Sequence, residues 1–134
     1  MAIQRLAIVS VPVSDQDRAK RFYTDVLGFV EGRDSPFREN ARWIEVKPTI
    51  ESTLTITLVT WFPSMPPGSL RGLVLLADNL DATFEMLRNR GLSSASAIQA
   101  APWGRYATFS DPDGNGWVLQ EARAGWMDAG DHKP

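Results

Sequence analysis

The chain has 134 residues, 43% hydrophobic and 22% charged, which is enough to bury a real core without staples and ordinary for a soluble globular protein. A formal net charge of −2 leaves no basic footprint for nucleic acid and no polybasic surface for a membrane. With no cysteine there are no disulfides, thiolate nucleophiles or Cys-based zinc sites.

The first apolar stretch, residues 6–13, is too short to span a bilayer and lacks the basic flank and small-residue exit of a signal peptide, so a cytoplasmic address is the default expectation. Within it Val9, Val11 and Val13 alternate with Ser10 and Pro12, which predicts a strand. A helix follows. Ser14 is its expected cap, Asp15 and Asp17 suit the positive end of the helix dipole, and Gly28 ends it. Ala19, Phe22, Tyr23, Val26 and Leu27 share one face at helical spacing.

Strands are expected at residues 29–31, 42–47 and 53–61, with residues 31–40 a charged, breaker-rich loop or irregular strand edge. Residues 63–68, holding Pro63, Pro66 and Pro67, form a natural hinge. Leu73, Leu75 and Ala77 then predict a strand before a second helix, which Asp78 can cap. Leu80, Thr83, Phe84 and Leu87 lie on one face of that helix, and Gly91 closes it. Further strands are expected at residues 94–99, 103–110 and 116–121. Each half therefore reads β-α-β-β-β, and the closing glycines stand about half the chain apart, as in a duplicated unit. The halves span residues 3–62 and 70–122 of a single domain over residues 1–134. Residues 123–134 have no period and are expected to be a flexible tail unless Trp126 and Met127 pin it to a surface.

Asp111-Pro112-Asp113-Gly114-Asn115 is a hairpin corner: Pro112 presets φ, and Gly114 supplies the positive φ of a bulged turn. Asp111 and Asp113 are read as turn formers, and Arg105 as a solvated strand-edge charge. Strand alternation sorts the remaining side chains. Leu54, Ile56 and Leu58 face the helices, leaving Thr53, Thr55, Thr57, Val59 and Trp61 on the other side. Likewise Ile44 and Val46 oppose Trp43 and Glu45. Ala107, Phe109, Trp117 and Leu119 read as core, so Tyr106, Thr108, Val118 and Gln120 join the threonine side. Trp43, Trp61 and Tyr106 on that side are more than a two-layer sheet needs.

The doubled pattern, the helix end FYTDVLGF at residues 22–29 and the DPDGN turn together resemble the vicinal oxygen chelate superfamily of glyoxalase I, bleomycin resistance proteins, fosfomycin resistance enzymes and extradiol dioxygenases. The resemblance covers residues 3–122. It implies an α+β fold of two βαβββ modules forming a curved mixed sheet around a cleft, usually in a homodimer. Family enzymes hold a divalent metal through ligands on the first and last strand of each half. Those four positions fall here on Ile8, Thr57, Gly72 and Val118, of which only Thr57 carries a side-chain donor, and a lone hydroxyl is a poor ligand. The one histidine, His132, stands two residues from the end and on none of these positions.

The expected function is therefore metal-free and cofactor-free binding of a small, partly aromatic or apolar molecule, such as an antibiotic or metabolite, by Trp43, Thr55, Thr57, Trp61, Tyr106, Thr108 and Gln120. The partners implied are that ligand and a second copy of the chain, with no nucleic acid and no membrane. The alternative is a lyase, isomerase or cyclase working without metal through Tyr106 and Glu45. A metal-dependent glyoxalase or dioxygenase with unorthodox ligands ranks last.

Overall fold

The structure is a computed structural model that describes residues 2–122, so the expectations for the tail, with Trp126, Met127 and His132, lie outside the described residues. Its architecture is α+β. β1 (Ile8–Pro12), α1 (Gln16–Arg21), β2 (Val30–Arg38), β3 (Ala41–Lys47) and β4 (Thr55–Val59) form the first unit. The second comprises β5 (Leu73–Ala77), α2 (Leu80–Asn89), β6 (Gln99–Ala101), β7 (Gly104–Ser110) and β8 (Gly116–Glu121). Each unit folds into a four-stranded mixed sheet that does not close, in the orders β1-β4-β3-β2 and β5-β8-β7-β6. The first strand of each unit runs parallel to its last, β1 with β4 and β5 with β8, and the other pairs are antiparallel. That parallel pairing needs a crossover, and in each unit a helix lies within it.

Several local expectations change. The cap of α1 is Asp15, whose carboxylate accepts from the Arg18 amide at 3.0 Å. Ser14 instead donates its hydroxyl to Asp113 at 2.6 Å. Past Arg21 the helix widens into a π-helical turn, Phe22–Val26, before Gly28 takes the left-handed φ of 75° that ends it. The cap of α2 is Asn79, one residue past Asp78, because the extended backbone that a cap requires falls there.

Residues 31–40 are the irregular strand edge. β2 is an edge strand with register breaks between Glu31 and Asp34 and between Pro36 and Arg38, and Asn40 turns the chain at φ 61°. β4 is shorter than the alternation suggested. Leu54 stands outside it and is exposed, and Trp61 lies beyond its end. Strand pairing after α2 starts only at Gln99. Ahead of it, the Ser96 amide still donates to the Thr108 carbonyl at 2.8 Å, and side chains join in: Ser94 Oγ donates to the Ser110 carbonyl at 2.8 Å and Ser96 Oγ accepts from the Thr108 amide at 3.0 Å.

One hydrophobic core draws on both units: Val11, Tyr23, Phe29, Ile44, Val46, Ile56 and Leu58 pack with Leu80, Leu87, Phe109, Trp117 and Leu119. The seam between units is also hydrogen-bonded. Asp111 is buried, and its carboxylate accepts from Tyr23 Oη at 2.7 Å, Asn115 Nδ2 at 2.8 Å and the amides of Asp113 and Asn115 at 3.0 and 2.9 Å. Asn115 Nδ2 also donates to the Pro12 carbonyl at 2.8 Å, and Trp117 Nε1 donates to Tyr23 Oη at 3.1 Å. Burial first, and then the Asp111 charge, push the Tyr23 hydroxyl well above its ordinary pKa. Gly68 crosses this seam at φ 82°, where a Cβ would meet the Asp113 carbonyl oxygen, so no other residue fits without moving backbone.

Candidate functional site

Because the core-facing residues of both sheets share one cluster, strand alternation turns the opposite faces outward, and the candidate residues divide between those two faces. On the first sheet, Ile44 and Val46 are fully buried, which leaves Trp43 and Glu45 on the outer side of β3. Trp43 Nε1 donates to Glu45 Oε2 at 2.7 Å. The Trp43 and Trp61 rings lie 6.1 Å apart and nearly parallel, and Phe37 stands 5.2 Å from the first and 4.7 Å from the second. The Arg38 guanidinium covers the outer flank, 4.9 Å from the Phe37 ring and 5.6 Å from Trp61. Beside this cluster runs a polar row. Ser10, Thr57 and Glu45 are register partners across β1, β4 and β3, and the hydroxyls of Ser10 and Thr57 lie 3.3 Å apart. Thr57 is fully buried and Thr55 half-buried.

Edge strand β2, which carries Phe37, is held by ion pairs. Asp34 accepts from Arg42 Nε at 2.9 Å and Lys20 Nζ at 2.6 Å, and Arg42 reaches Asp17 at 2.7 Å. Hydrogen bonds from Arg42 and then Lys20 hold the Asp34 carboxyl below its usual range.

On the second sheet, Tyr106 on β7 pairs with Gln120 on β8, and Leu76 on β5 pairs with the same Gln120. Val118 lies between Val74 and Thr108 in the neighbouring row. The Tyr106 hydroxyl donates to Gln99 Oε1 at 3.3 Å, and its ring sits 4.8 Å from Trp103. Val74 and Leu76 are 49% and 44% exposed, forming an apolar strip beside the buried Gln120, whose Nε2 has no hydrogen-bond partner among the described residues. An unmet buried donor costs about 1–3 kcal/mol. Arg105 is not a free edge charge: it pairs with Asp81 and Glu121 at 2.9 Å each, tying α2 to β7 and β8.

Trp43, Thr57 and Trp61 are thus brought near one another, as are Tyr106, Gln120 and Thr108. The two groups sit on different sheets, with no aromatic contact or hydrogen bond joining them among the described residues. Glu45 and Tyr106 are separated in the same way. Sequence reading missed Phe37, Arg38, Gln99 and Trp103. Phe37 lay in a charged segment read as irregular, and Trp103 was read as the first residue of its strand, on the side of Ala107 and Phe109, whereas it stands just ahead of β7 and packs on Tyr106.

The four positions where the family resemblance places metal ligands do not suit a metal. Ile8 and Val118 are aliphatic, Gly72 lies just before β5 at φ 84°, and the Thr57 hydroxyl is already engaged with Ser10. Among the described residues no group of three or more His, Cys, Asp or Glu gathers elsewhere. No helix there is long and apolar enough to cross a membrane.

The chain is 46% identical to TnmS3, an antibiotic binding protein from Streptomyces sp. CB03234, whose crystal structure matches with a TM-score of 0.85 over 92% of this chain and 99% of that one. A member of the glyoxalase/bleomycin resistance protein/dioxygenase superfamily from Sphaerobacter thermophilus is 30% identical, with a TM-score of 0.78 over 90% and 98% of the two chains. YetH of Bacillus subtilis is 31% identical over 122 residues, 89% of this chain and 99% of that protein. A family model matches residues 5–119, and the chain belongs to the Glyoxalase/Bleomycin resistance protein/Dioxygenase superfamily.

Proposed function

We propose that the protein binds a small, planar aromatic molecule reversibly, without a metal, and releases it unchanged. The observation that carries this reading is the Phe37–Trp43–Trp61 cluster on an outer sheet face, bordered by the Ser10–Thr57–Glu45 row. An apolar, aromatic surface with a few fixed polar groups is the usual design for holding a small molecule. Similarity to an antibiotic binding protein supports an antibiotic-like ligand. A micromolar complex needs about 8 kcal/mol, more than three rings supply at ~1 kcal/mol per stacked pair beyond the area they bury. The second sheet's face, with Tyr106 and Gln120, is the natural complement. Since both faces point away from the shared core, we propose that a second copy of the chain brings them together and that the binding unit is a homodimer.

Titration of tryptophan fluorescence against a panel of aromatic antibiotics tests the reading. Saturable quenching is expected, weakened at least tenfold in Trp61→Ala, and mass spectrometry should recover the compound unaltered. Recovery of a changed mass or isomer at catalytic ratios would establish turnover instead. Absence of any quenching or melting shift across the panel would show that these rings are packing alone.

A further inference from the structure

The described residues contain three buried side-chain amides, Gln16, Asn115 and Gln120. Gln16 donates to the carbonyls of Arg42 and Leu58 at 2.7 and 2.8 Å and accepts from the Arg42 amide at 3.0 Å. Asn115 donates to Pro12 and Asp111 and accepts from the Leu70 amide at 3.1 Å. Both are structural, and both use their donors and acceptor. Gln120 differs. Among the described residues its Nε2 is buried with no partner and its Oε1 makes no hydrogen bond, and it stands in a row with Leu76 and Tyr106, on the face opposite Leu119 and Trp117.

The other idle buried atom, Asp113 Oδ2, belongs to a carboxylate whose second oxygen already accepts from Ser14 N, Ser14 Oγ and Arg18, so that group serves the seam. Gln120 serves no such contact. A buried amide donor with nothing to donate to is stable only at a cost, and an acceptor placed against it recovers that cost.

We propose that Gln120 is the specificity donor of the binding site and that the ligand is a planar aromatic compound carrying an uncharged carbonyl acceptor on its ring system. This rests on the binding function proposed above. The acceptor is uncharged because Arg105, next to Tyr106 in the chain, alternates to the other face and is engaged by Asp81 and Glu121, while Arg71, on the same face as Gln120, lies beside Gly116, four residues away along β8. Leu76 and the Tyr106 ring flank the amide in register, which suits an apolar ring bearing a single polar atom.

The test compares 9-fluorenone with fluorene, two planar tricycles of matched shape that differ by one carbonyl. Both are titrated by tryptophan fluorescence against the wild-type chain and against Gln120→Met, which keeps the side chain's length and removes the donor. The wild type should bind fluorenone at least tenfold more tightly than fluorene. Gln120→Met should bind the two within twofold of each other and melt no lower than wild type. Equal wild-type affinities, or a preference that survives in Gln120→Met, would overturn this assignment and leave the binding function standing. A crystal structure of the dimer with Gln120 Nε2 bonded to the partner subunit would overturn it too. Failure of the wild type to bind either compound would overturn this assignment, the binding function itself being decided by the antibiotic panel.

Discussion

Tyr23 is the residue on which most of the seam converges. Its hydroxyl donates to Asp111 at 2.7 Å and accepts from Trp117 at 3.1 Å, and its ring packs against Phe22, Phe29 and Trp117. Tyr23→Phe keeps the ring and removes the hydroxyl, leaving the Trp117 N–H without its acceptor, so a loss of about 1–3 kcal/mol is expected in urea denaturation. The pH dependence has a definite sign. The folded pKa lies above the ordinary value of 10.0, so the neutral hydroxyl's contribution is complete below pH 10 and falls as pH rises beyond it. Wild-type stability should therefore decline above pH 10, and Tyr23→Phe should lack that part of the decline. A parallel decline in both proteins would show that Tyr23 ionisation contributes nothing. The sequence marks Tyr23 as helix-face packing and Asp111 as a turn former, and both readings stand. Their bond joins positions 88 residues apart, and helical periodicity and turn chemistry are local signals that carry no information at that range. Gln120 shows the converse: alternation gives its face, whereas the idle donor emerges only once every neighbour has been placed.

Among the elements, β2 departs most from its sequence signal and shapes the aromatic cluster most directly. Its two register breaks destroy the alternation that would have revealed a strand, and the same breaks present Phe37 toward Trp43 and Trp61. The regular elements, β3, β5, β7 and β8, were legible within a residue or so because one face of each is buried. What holds β2 in its irregular course is the Asp34–Arg42–Lys20 set. The Asp34 carboxyl titrates below its ordinary value of 3.8, so its contribution is complete above about pH 4 and is lost as pH falls through the lower folded value. Asp34→Asn should accordingly flatten the acid limb of the stability profile measured by denaturant titration between pH 2 and 5. Because Phe37 rides on the same strand, the variant should also weaken ligand quenching severalfold at neutral pH. Unchanged quenching would mean that the cluster is held by its ring contacts without help from the ion pairs.

For the whole molecule, the doubled β-α-β-β-β plan was readable from the order of strands and helices and the spacing of Gly28 and Gly91, and the family from that plan together with FYTDVLGF and DPDGN, each of which fixes a backbone event: a helix end at Gly28 and a hairpin corner at Gly114. How the two outer faces come to share one ligand was not readable, since it depends on packing between units and on a second chain. The shared core and the Asp111 network predict that both halves melt together, with calorimetric and van't Hoff enthalpies agreeing. Two resolved transitions would show that the halves are separate folding units. Light scattering at micromolar concentration should give twice the mass of one chain, and a single-chain mass would contradict the proposed dimer. The seam has a historical consequence as well. Tyr23, Pro12 and Ser14 of the first half are bound to Asp111, Asn115 and Asp113 of the second, so neither half can be deleted, exchanged or inherited alone without stranding a buried carboxylate. The outward faces carry no such cross-obligation. Substitution on those faces, at positions such as Trp43 and Trp61, therefore leaves the joint between the halves untouched.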